Sequence, residues 1–298
     1  MRAVLVSNGA RVTPSEAARI QRLVGGAAGE VESSRTTQAG ETGELVRAAI
    51  ERGATRVIVA GGDGTVHEAA NALEGSGVEL AVIPAGSGND YARSLGLPGG
   101  LEAAAAFAAS GPALPTDAGE VICATSDGGN ARRIFLNIAE AGFGAHVVRH
   151  AHRTVRFAPA WLAYQLAIFA ALATLRTETV RLSTDGRAPQ ELPSTDLIVG
   201  LGQYFGAGLH PLPDARLDDG LFEVAHISGA SRLDIARHAP LLRNGIPHGH
   251  PKVARSQCRE IRVEGPASVP VEADGELAGT LPAAFRVLPG ALAVVRAG

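Results

Sequence analysis

Lysine is almost absent from this chain: Lys252 is the only one, and arginine supplies the rest of the 27 basic residues. That scarcity excludes two ways of handling phosphate. A Walker-type loop needs a GK[ST] lysine on the β- and γ-phosphates, and a protein kinase needs a strand lysine. Lys252 sits in His-Pro-Lys-Val-Ala, outside any glycine-rich loop. Cysteine is scarce as well. Cys123 and Cys258 are too few for a disulfide framework and fit a reducing compartment. Neither charge dominates: 27 basic against 30 acidic residues give a net −3, so no global basic field recruits nucleic acid or an anionic membrane. The opening apolar run, residues 1–8, is too short for a signal peptide and reads as a strand. It leads into Asn8-Gly9-Ala10-Arg11 without a G-x-G-x-x-G, which argues against a Rossmann dehydrogenase.

What is present describes a globular chain. Of 298 residues, 46% are hydrophobic and 19% charged, enough to bury a large core. At about 150 residues per domain, that length predicts two domains. Up to about residue 116, short apolar runs alternate with amphipathic stretches. Strands are expected at 3–6, 56–60 and 80–83, and helices at 14–23, 43–52, 66–73 and 101–109. Such alternation predicts a parallel sheet with helices on its faces. Beyond residue 116 the texture becomes β-rich segments (134–138, 180–182, 197–201, 221–227, 260–263, 268–272) between Gly, Pro and Asp turns, with helices at 159–175 and 233–243. This predicts an antiparallel, sandwich-like second domain.

Residues 157–175 carry no charge between Arg156 and Arg176. The length permits a membrane span, but Pro159, Tyr164 and Gln165 lie inside and no partner span exists. A buried core helix is the favoured reading, and a lipid-facing surface helix the alternative.

Two loops carry chemistry. In Val57-Ile-Val-Ala-Gly61-Gly62-Asp63-Gly64-Thr65-Val66-His67-Glu68, a buried strand ends in glycines that permit positive φ and close approach of a ligand. The following helix directs its N-terminal N–H groups at that ligand, a favourable place for phosphate. Asp63 repels phosphate by itself, and a magnesium ion or a water network to one removes the conflict. A plain turn with Asp63 as helix cap is the simpler alternative. The second loop, Pro84-Ala-Gly86-Ser87-Gly88-Asn89-Asp90-Tyr91-Ala92-Arg93, repeats the logic, offering the Ser87 hydroxyl, the Asn89 amide and the Asp90 carboxylate. Asp90 as a cap is again the alternative. Two such loops after consecutive strands belong at the carboxyl edge of one sheet, where open α/β folds bind ligands.

These residues, with Glu68, Asn71 and Leu95-Gly-Leu-Pro98, resemble the soluble diacylglycerol kinase and bacterial lipid kinase family. Sphingosine and ceramide kinases are related, and NAD kinases share the GGDGT turn more distantly. The likeness continues in order through residues 137–145, 202–208, 213–221 and 271–276, covering nearly the whole chain. It implies an NAD kinase-like α/β domain with a parallel sheet over residues 1–118, to which the tail 288–298 is free to return. It implies a mainly antiparallel β-sandwich over 119–287 for the lipid acceptor.

The activity implied is transfer of the γ-phosphate of ATP to a lipid hydroxyl, that of diacylglycerol or a related glycerolipid or sphingoid lipid, with Mg2+. By resemblance, Asn8, Thr36, Gly61, Gly62, Asp63, Gly64, Thr65, Val66, His67, Ser87 and Asn89 line the nucleotide site. Asp63, Asp90 and Asp117 match the acidic residues of a magnesium–water network, and Arg216, Asp219 and Leu221 a structural magnesium site. Arg216 and Leu221 would give only backbone carbonyls there, suitable for a hard cation. Glu276 matches the proton acceptor, with Asp274 beside it as the less favoured candidate; without the resemblance, Asp274-Gly-Glu276 reads as a hairpin turn. The expected setting is cytoplasmic and peripheral at the inner membrane surface, with no nucleic acid, no transmembrane span, and room for a homodimer.

There are departures. Ser7-Asn8-Gly9-Ala10-Arg11 replaces the family's usual Asn-Pro loop, with Arg11 a candidate charge partner for phosphate, and His67 replaces a common asparagine. Ser87 stands at a threonine position, and Ala207 interrupts a glycine triplet. Two other functions compete: a kinase for a soluble acceptor such as NAD, and a nucleotide- or lipid-binding protein without catalysis. His146, His150, His152, His248 and His250 lack cysteine or carboxylate at ligand spacing and read as surface or satisfied histidines, not zinc ligands. Lys252 and Cys258 read as structural.

Overall fold

The computed structural model describes residues 2–154 and 160–297; residue 1, residues 155–159 and residue 298 lie outside it. The first residue of the opening run and the first three of the uncharged 157–175 run therefore fall outside the description. The chain divides into two compact units. One comprises Met1–Ala118, Leu217–Asp219 and Leu288–Gly298, the other Gly119–Arg216 and Gly220–Val287.

The first unit runs β1 (Ala3–Ser7), α1 (Pro14–Ala28), β2 (Val31–Arg35), α2 (Thr42–Glu51), β3 (Arg56–Gly61), α3 (Asp63–Leu73), β4 (Glu79–Pro84), α4 (Asp90–Ser94), α5 (Leu101–Ser110) and the start of β5 (Ala113–Ala124). The strands are parallel, in the order β2-β1-β3-β4. Every residue of β1 and β3 is buried, as expected when helices cover both faces. Leu5, Ile58, Ala60, Ala81 and Ile83 face a cluster with Ile20 and Val24 of α1 and Ala105 and Ala108 of α5. Helix α1 begins in a capping box: Thr13 N–H donates to Glu16 Oε2 at 2.8 Å, and Glu16 N–H to Thr13 Oγ1 at 3.3 Å. Arg56, buried at the start of β3, donates to the carbonyls of Ala108, Ala109 and Gly111, closing the C-terminus of α5.

The second unit contains the rest of β5 and then β6 (Asn130–Phe135), β7 (Ile138–Gly142), α6 (Phe143–Thr154), α7 (Ala160–Ala173), β8 (Glu178–Thr184), β9 (Gln190–Ser194), β10 (Asp196–Gly200), β11 (Phe222–Ile227), α8 (Arg232–His238), α9 (Leu241–Asn244), β12 (Val253–Cys258), β13 (Glu260–Glu264), β14 (Pro270–Ala273) and most of β15 (Glu276–Val295). Its strands pair antiparallel in the order β12-β11-β10-β7-β14-β15, with β9-β8-β13 a second set joined through β15. Phe135 and Phe222 stack at 5.7 Å, both fully buried. The tail of β15 returns to the first unit, where Val294 pairs in parallel with Leu80. A parallel α/β unit and an antiparallel β unit are the fold class expected.

Three sequence readings are corrected. The strand expected at 134–138 is the end of β6 and the beginning of β7, broken at Leu136-Asn137. The helix at 233–243 is two helices, with Pro240 as N-cap of the second. The uncharged run is not a core helix either. In α7, Ala163, Ala167 and Ala171 are buried, whereas Leu166 is 46% and Phe169 68% exposed. With 14 residues α7 spans about 21 Å at 1.5 Å per residue, short of a ~30 Å hydrocarbon core. Among the described residues no helix is long and apolar enough to cross a membrane.

Candidate functional site

Because β1 to β4 are parallel, the loops leaving all four emerge at the same carboxyl edge, and hydrogen bonds tie them together. Asn8, after β1, donates from Nδ2 to Thr65 Oγ1 at 2.8 Å, beyond β3. Gly9 N–H donates to Thr36 Oγ1, beyond β2, at 2.9 Å. Arg11 Nη1 donates to Ser87 Oγ, beyond β4, at 3.3 Å. Asp63 Oδ1 accepts the Tyr91 N–H at 3.0 Å, joining the starts of α3 and α4. Thus Asn8, Thr36, Gly61, Gly62, Asp63, Gly64, Thr65, Ser87 and Asn89 share one sheet edge.

The glycines serve a different need from the one expected. None of Gly61, Gly62 or Gly64 has positive φ; Asn89 takes the left-handed conformation instead, at 55°. A Cβ on Gly86 would lie 2.4 Å from Gly62 Cα, so the two loops pass backbone against backbone. Asn89 latches this contact, its Oδ1 accepting Gly86 N–H at 2.8 Å and its Nδ2 donating to Gly86 O at 2.9 Å. Gly64 faces open space, leaving the first turn of α3 unobstructed. Val66 and His67 are buried farther along α3, with the His67 carbonyl accepting from Asn71 Nδ2 at 2.9 Å.

Asp90 and Asp117 are each tied into the surrounding chain. Asp90 is buried against Arg93, 2.7 Å away. Asp117, in β5, accepts Gly290 N–H at 2.8 Å and donates its own N–H to the Leu217 carbonyl, pinning the returning tail. Arg216 and Leu221 belong to the second unit and Asp219 to the first. Among the described residues no three His, Cys, Asp or Glu side chains are placed to hold a metal directly. The half-buried Asp63 at an open helix N-terminus still fits magnesium held mostly by water and phosphate oxygens, which needs only one or two carboxylates.

In the second unit, Asp274 and Gly275 form the β14–β15 turn with φ of 51° and 85°, two successive left-handed residues as a type I′ hairpin requires. The Asp274 carboxylate accepts the N–H groups of Leu136 at 2.8 Å, Asn137 at 3.0 Å and Ile138 at 3.2 Å. It bridges the break between β6 and β7, so its oxygens are engaged in holding two strand ends together. Glu276 differs: its side chain is 57% exposed, with His152 Nε2 of α6 3.9 Å away.

Beside this turn lies a group of buried carboxyls that the sequence reading passed over. Glu272 Oε2 accepts Gly275 N–H at 2.6 Å, and Glu140 is its cross-strand partner on β7. Asp196 Oδ2 accepts Gly144 N–H at 3.2 Å, while its Oδ1 is buried with no donor in hydrogen-bond geometry. A proton on Glu140, shared with Asp196, supplies that donor. Burial, then the neighbouring Asp196 and Glu272, push Glu140 well above the usual carboxyl range. Burial pushes Asp196 up to about 7, and burial raises Glu272 as well. A Cβ on Gly144 would lie 2.0 Å from Glu140 Oε2, so α6 comes close to the carboxyls only because residue 144 is glycine. The available sequence signal was an acid in the middle of, or directly beside, an otherwise apolar strand.

The other flagged residues have local partners. His146 Nδ1 lies 2.7 Å from Arg149 Nη2, His248 Nε2 lies 3.1 Å from Asp214, and His250 packs edge-on to His238. Lys252 Nζ pairs with Asp234 at 2.6 Å.

Residues 2–121 match the family model described as the diacylglycerol kinase catalytic domain, and residues 137–296 the YegS C-terminal NAD kinase beta sandwich-like domain. The chain is 33% identical over 253 residues to a diacylglycerol kinase of Mycobacterium tuberculosis, covering 85% of this chain and 80% of that one. A Pseudomonas aeruginosa protein named "Probable lipid kinase YegS-like" is 32% identical over 265 residues, covering 87% and 82%. Among solved structures, a diacylglycerol kinase of Bacillus anthracis is 18% identical with a TM-score of 0.73, covering 99% and 97% of the two chains. An NAD kinase of Archaeoglobus fulgidus in complex with ATP is 17% identical with a TM-score of 0.50, covering 96% and 89%. At these identities the two structures are likenesses of fold.

Proposed function

Because the chain belongs to the family of diacylglycerol kinases and YegS-like lipid kinases, we propose that it transfers the γ-phosphate of ATP to a glycerolipid hydroxyl, with diacylglycerol as acceptor. The nucleotide is assigned to the first unit and the lipid to the second. The carrying observation is the cross-tied set of loops at one sheet edge, Asn8 to Thr65, Gly9 to Thr36, Arg11 to Ser87 and Asp63 to Tyr91.

The chemistry follows from these groups. Open backbone N–H groups at the start of α3 receive phosphate oxygens, with the helix dipole adding about 0.3–1 kcal/mol at an exposed site. The Ser87 hydroxyl and Arg11 guanidinium offer further donors from neighbouring loops. Magnesium, when bound with ATP, neutralises phosphate charge, and Asp63, held by the Tyr91 amide, is its assigned anchor through water. Asp90 and Asp117 act at one remove, through the loop and the tail they hold. Glu276 takes the proton from the lipid hydroxyl as the oxygen–phosphorus bond forms, and ADP leaves with the displaced β–γ bridging oxygen. The acceptor is membrane-borne, so the protein works peripherally at a bilayer surface.

The test is transfer of radiolabelled γ-phosphate from ATP to vesicles carrying diacylglycerol, monoacylglycerol, phosphatidylglycerol or sphingosine, and to NAD in solution. Transfer to diacylglycerol is expected. Glu276→Gln should lower kcat by about 10²–10⁴-fold, the usual contribution of a general base. Asp63→Ala should cost more, since phosphoryl transfer rests mainly on charge neutralisation and positioning. Transfer to NAD alone would replace the lipid reading, and transfer to no acceptor would favour a binding protein.

A further inference from the structure

The second unit contains a cavity of about 370 Å3, within the 300–1,000 Å3 range of small-molecule sites. Its lining has two characters. Val180, Leu197, Val263 and Leu281, all buried, supply an apolar wall from β8, β10, β13 and β15. His146, Arg149 and His150 of α6, with the exposed Arg176 beyond α7, supply a basic one; Glu178 is the acid among the lining residues.

Arg149 is the unusual member. Among the described residues it makes no ion pair; its Nη2 donates to His146 Nδ1 at 2.7 Å, and its Nε is buried without a partner. Burial, then Arg149 and His150, pushes His146 down to about 4, and His150 is lowered by burial and the neighbouring arginines. Both histidines are therefore neutral at physiological pH, and the side of the cavity formed by α6 holds an arginine without a counter-charge. A buried guanidinium donor left unpaired is costly, whereas a bound carboxylate or phosphate pairs with it in the geometry arginine favours.

We propose that this cavity binds an anionic amphiphile, its alkyl chain against the apolar wall and its carboxylate or phosphate headgroup on Arg149, with Arg176 beside the opening. An anionic headgroup on Arg149 differs in charge from the neutral hydroxyl that accepts phosphate in the proposed reaction. The cavity is lined by Ala141 and Gly142, at one end of β7, whereas Asp274 binds Ile138 at the other, about 13 Å away at ~3.3 Å per residue. The assignment stands independently of the phosphotransfer reading.

Calorimetric titration of the full chain with dodecanoate, dodecyl phosphate and dodecanol, each below its micellar range, tests it. At least one anion should bind one to one and at least tenfold more tightly than dodecanol, and comparison of the two anions identifies the preferred headgroup. Arg149→Gln should reduce the anions to the dodecanol level, with Arg176→Gln, at an exposed position, as the second variant where Arg149→Gln fails to fold. Thr174→Trp, placing bulk at an exposed lining position, should weaken all three. Equal affinity for dodecanol and the anions, no binding of any of the three, an affinity unmoved in the folded arginine variants, or binding indifferent to Thr174→Trp would each overturn the proposal.

Discussion

At the scale of single residues, the Asp274-Gly-Glu276 turn gives two carboxylates, two residues apart in the chain, different surroundings. Asp274 is engaged by backbone amides, whereas the Glu276 side chain is 57% exposed. Asp274→Asn should therefore lower stability by about 1–3 kcal/mol in urea denaturation, the cost of leaving a buried amide donor poorly matched. Glu276→Gln should stay within about 0.5 kcal/mol of the parent, as surface changes usually do. Equal losses would mean the two share a structural role. The thiols are also separated from chemistry: burial pushes Cys258 up to about 12, and burial raises Cys123. Neither should react with a thiol reagent at pH 8 until denaturant is added, since the thiolate is the nucleophile.

At the scale of elements, the glycine-rich loops were legible because strand, turn and helix succeed one another within a few residues. What each glycine does was not legible. Gly62 and Gly86 are required by the passage of one backbone against another, and Gly64 is not. Gly86→Ala should destabilise by about 1–3 kcal/mol, because backbone at 2.4 Å cannot move aside as a flexible side chain would. Gly64→Ala should leave stability unchanged or raise it by a few tenths of a kcal/mol. Denaturant midpoints of the two variants check the contrast; similar losses would return both to a purely conformational role. Helix α6 shows the opposite limit. Its histidines and arginines conceal an amphipathic helix whose inner face carries Ala145, Val147 and Val148, and its approach to β7 depends on Gly144.

At the scale of the whole molecule, the buried carboxyls of Glu140, Asp196 and Glu272 make stability depend on pH. Their folded pKa values lie above the unfolded ones, so the folded state retains protons that the unfolded chain releases. Their contribution is fully present below about pH 4 and is lost as pH rises through the folded pKa, which is about 7 for Asp196. The melting temperature should fall between pH 5 and pH 8, and Glu140→Gln, which keeps a donor toward Asp196 without a titrating proton, should shrink that fall. Thermal unfolding at both pH values checks this; an unchanged pH dependence in Glu140→Gln would show that the proton resides elsewhere.

By itself the sequence determined the elements with strong local periodicity, the parallel order implied by alternating strands and helices, and the loops at Gly61 and Gly86. Those signals depend on neighbours within a few residues along the chain. Tertiary structure alone decided that Asp274 bridges the break after β6, that β15 returns beside β4, and that the carboxyls of Glu140, Asp196 and Glu272 are buried on adjoining strands. Each of these depends on strands brought together from far apart in the chain, and an acid in an apolar run signals burial without telling which groups will lie against it.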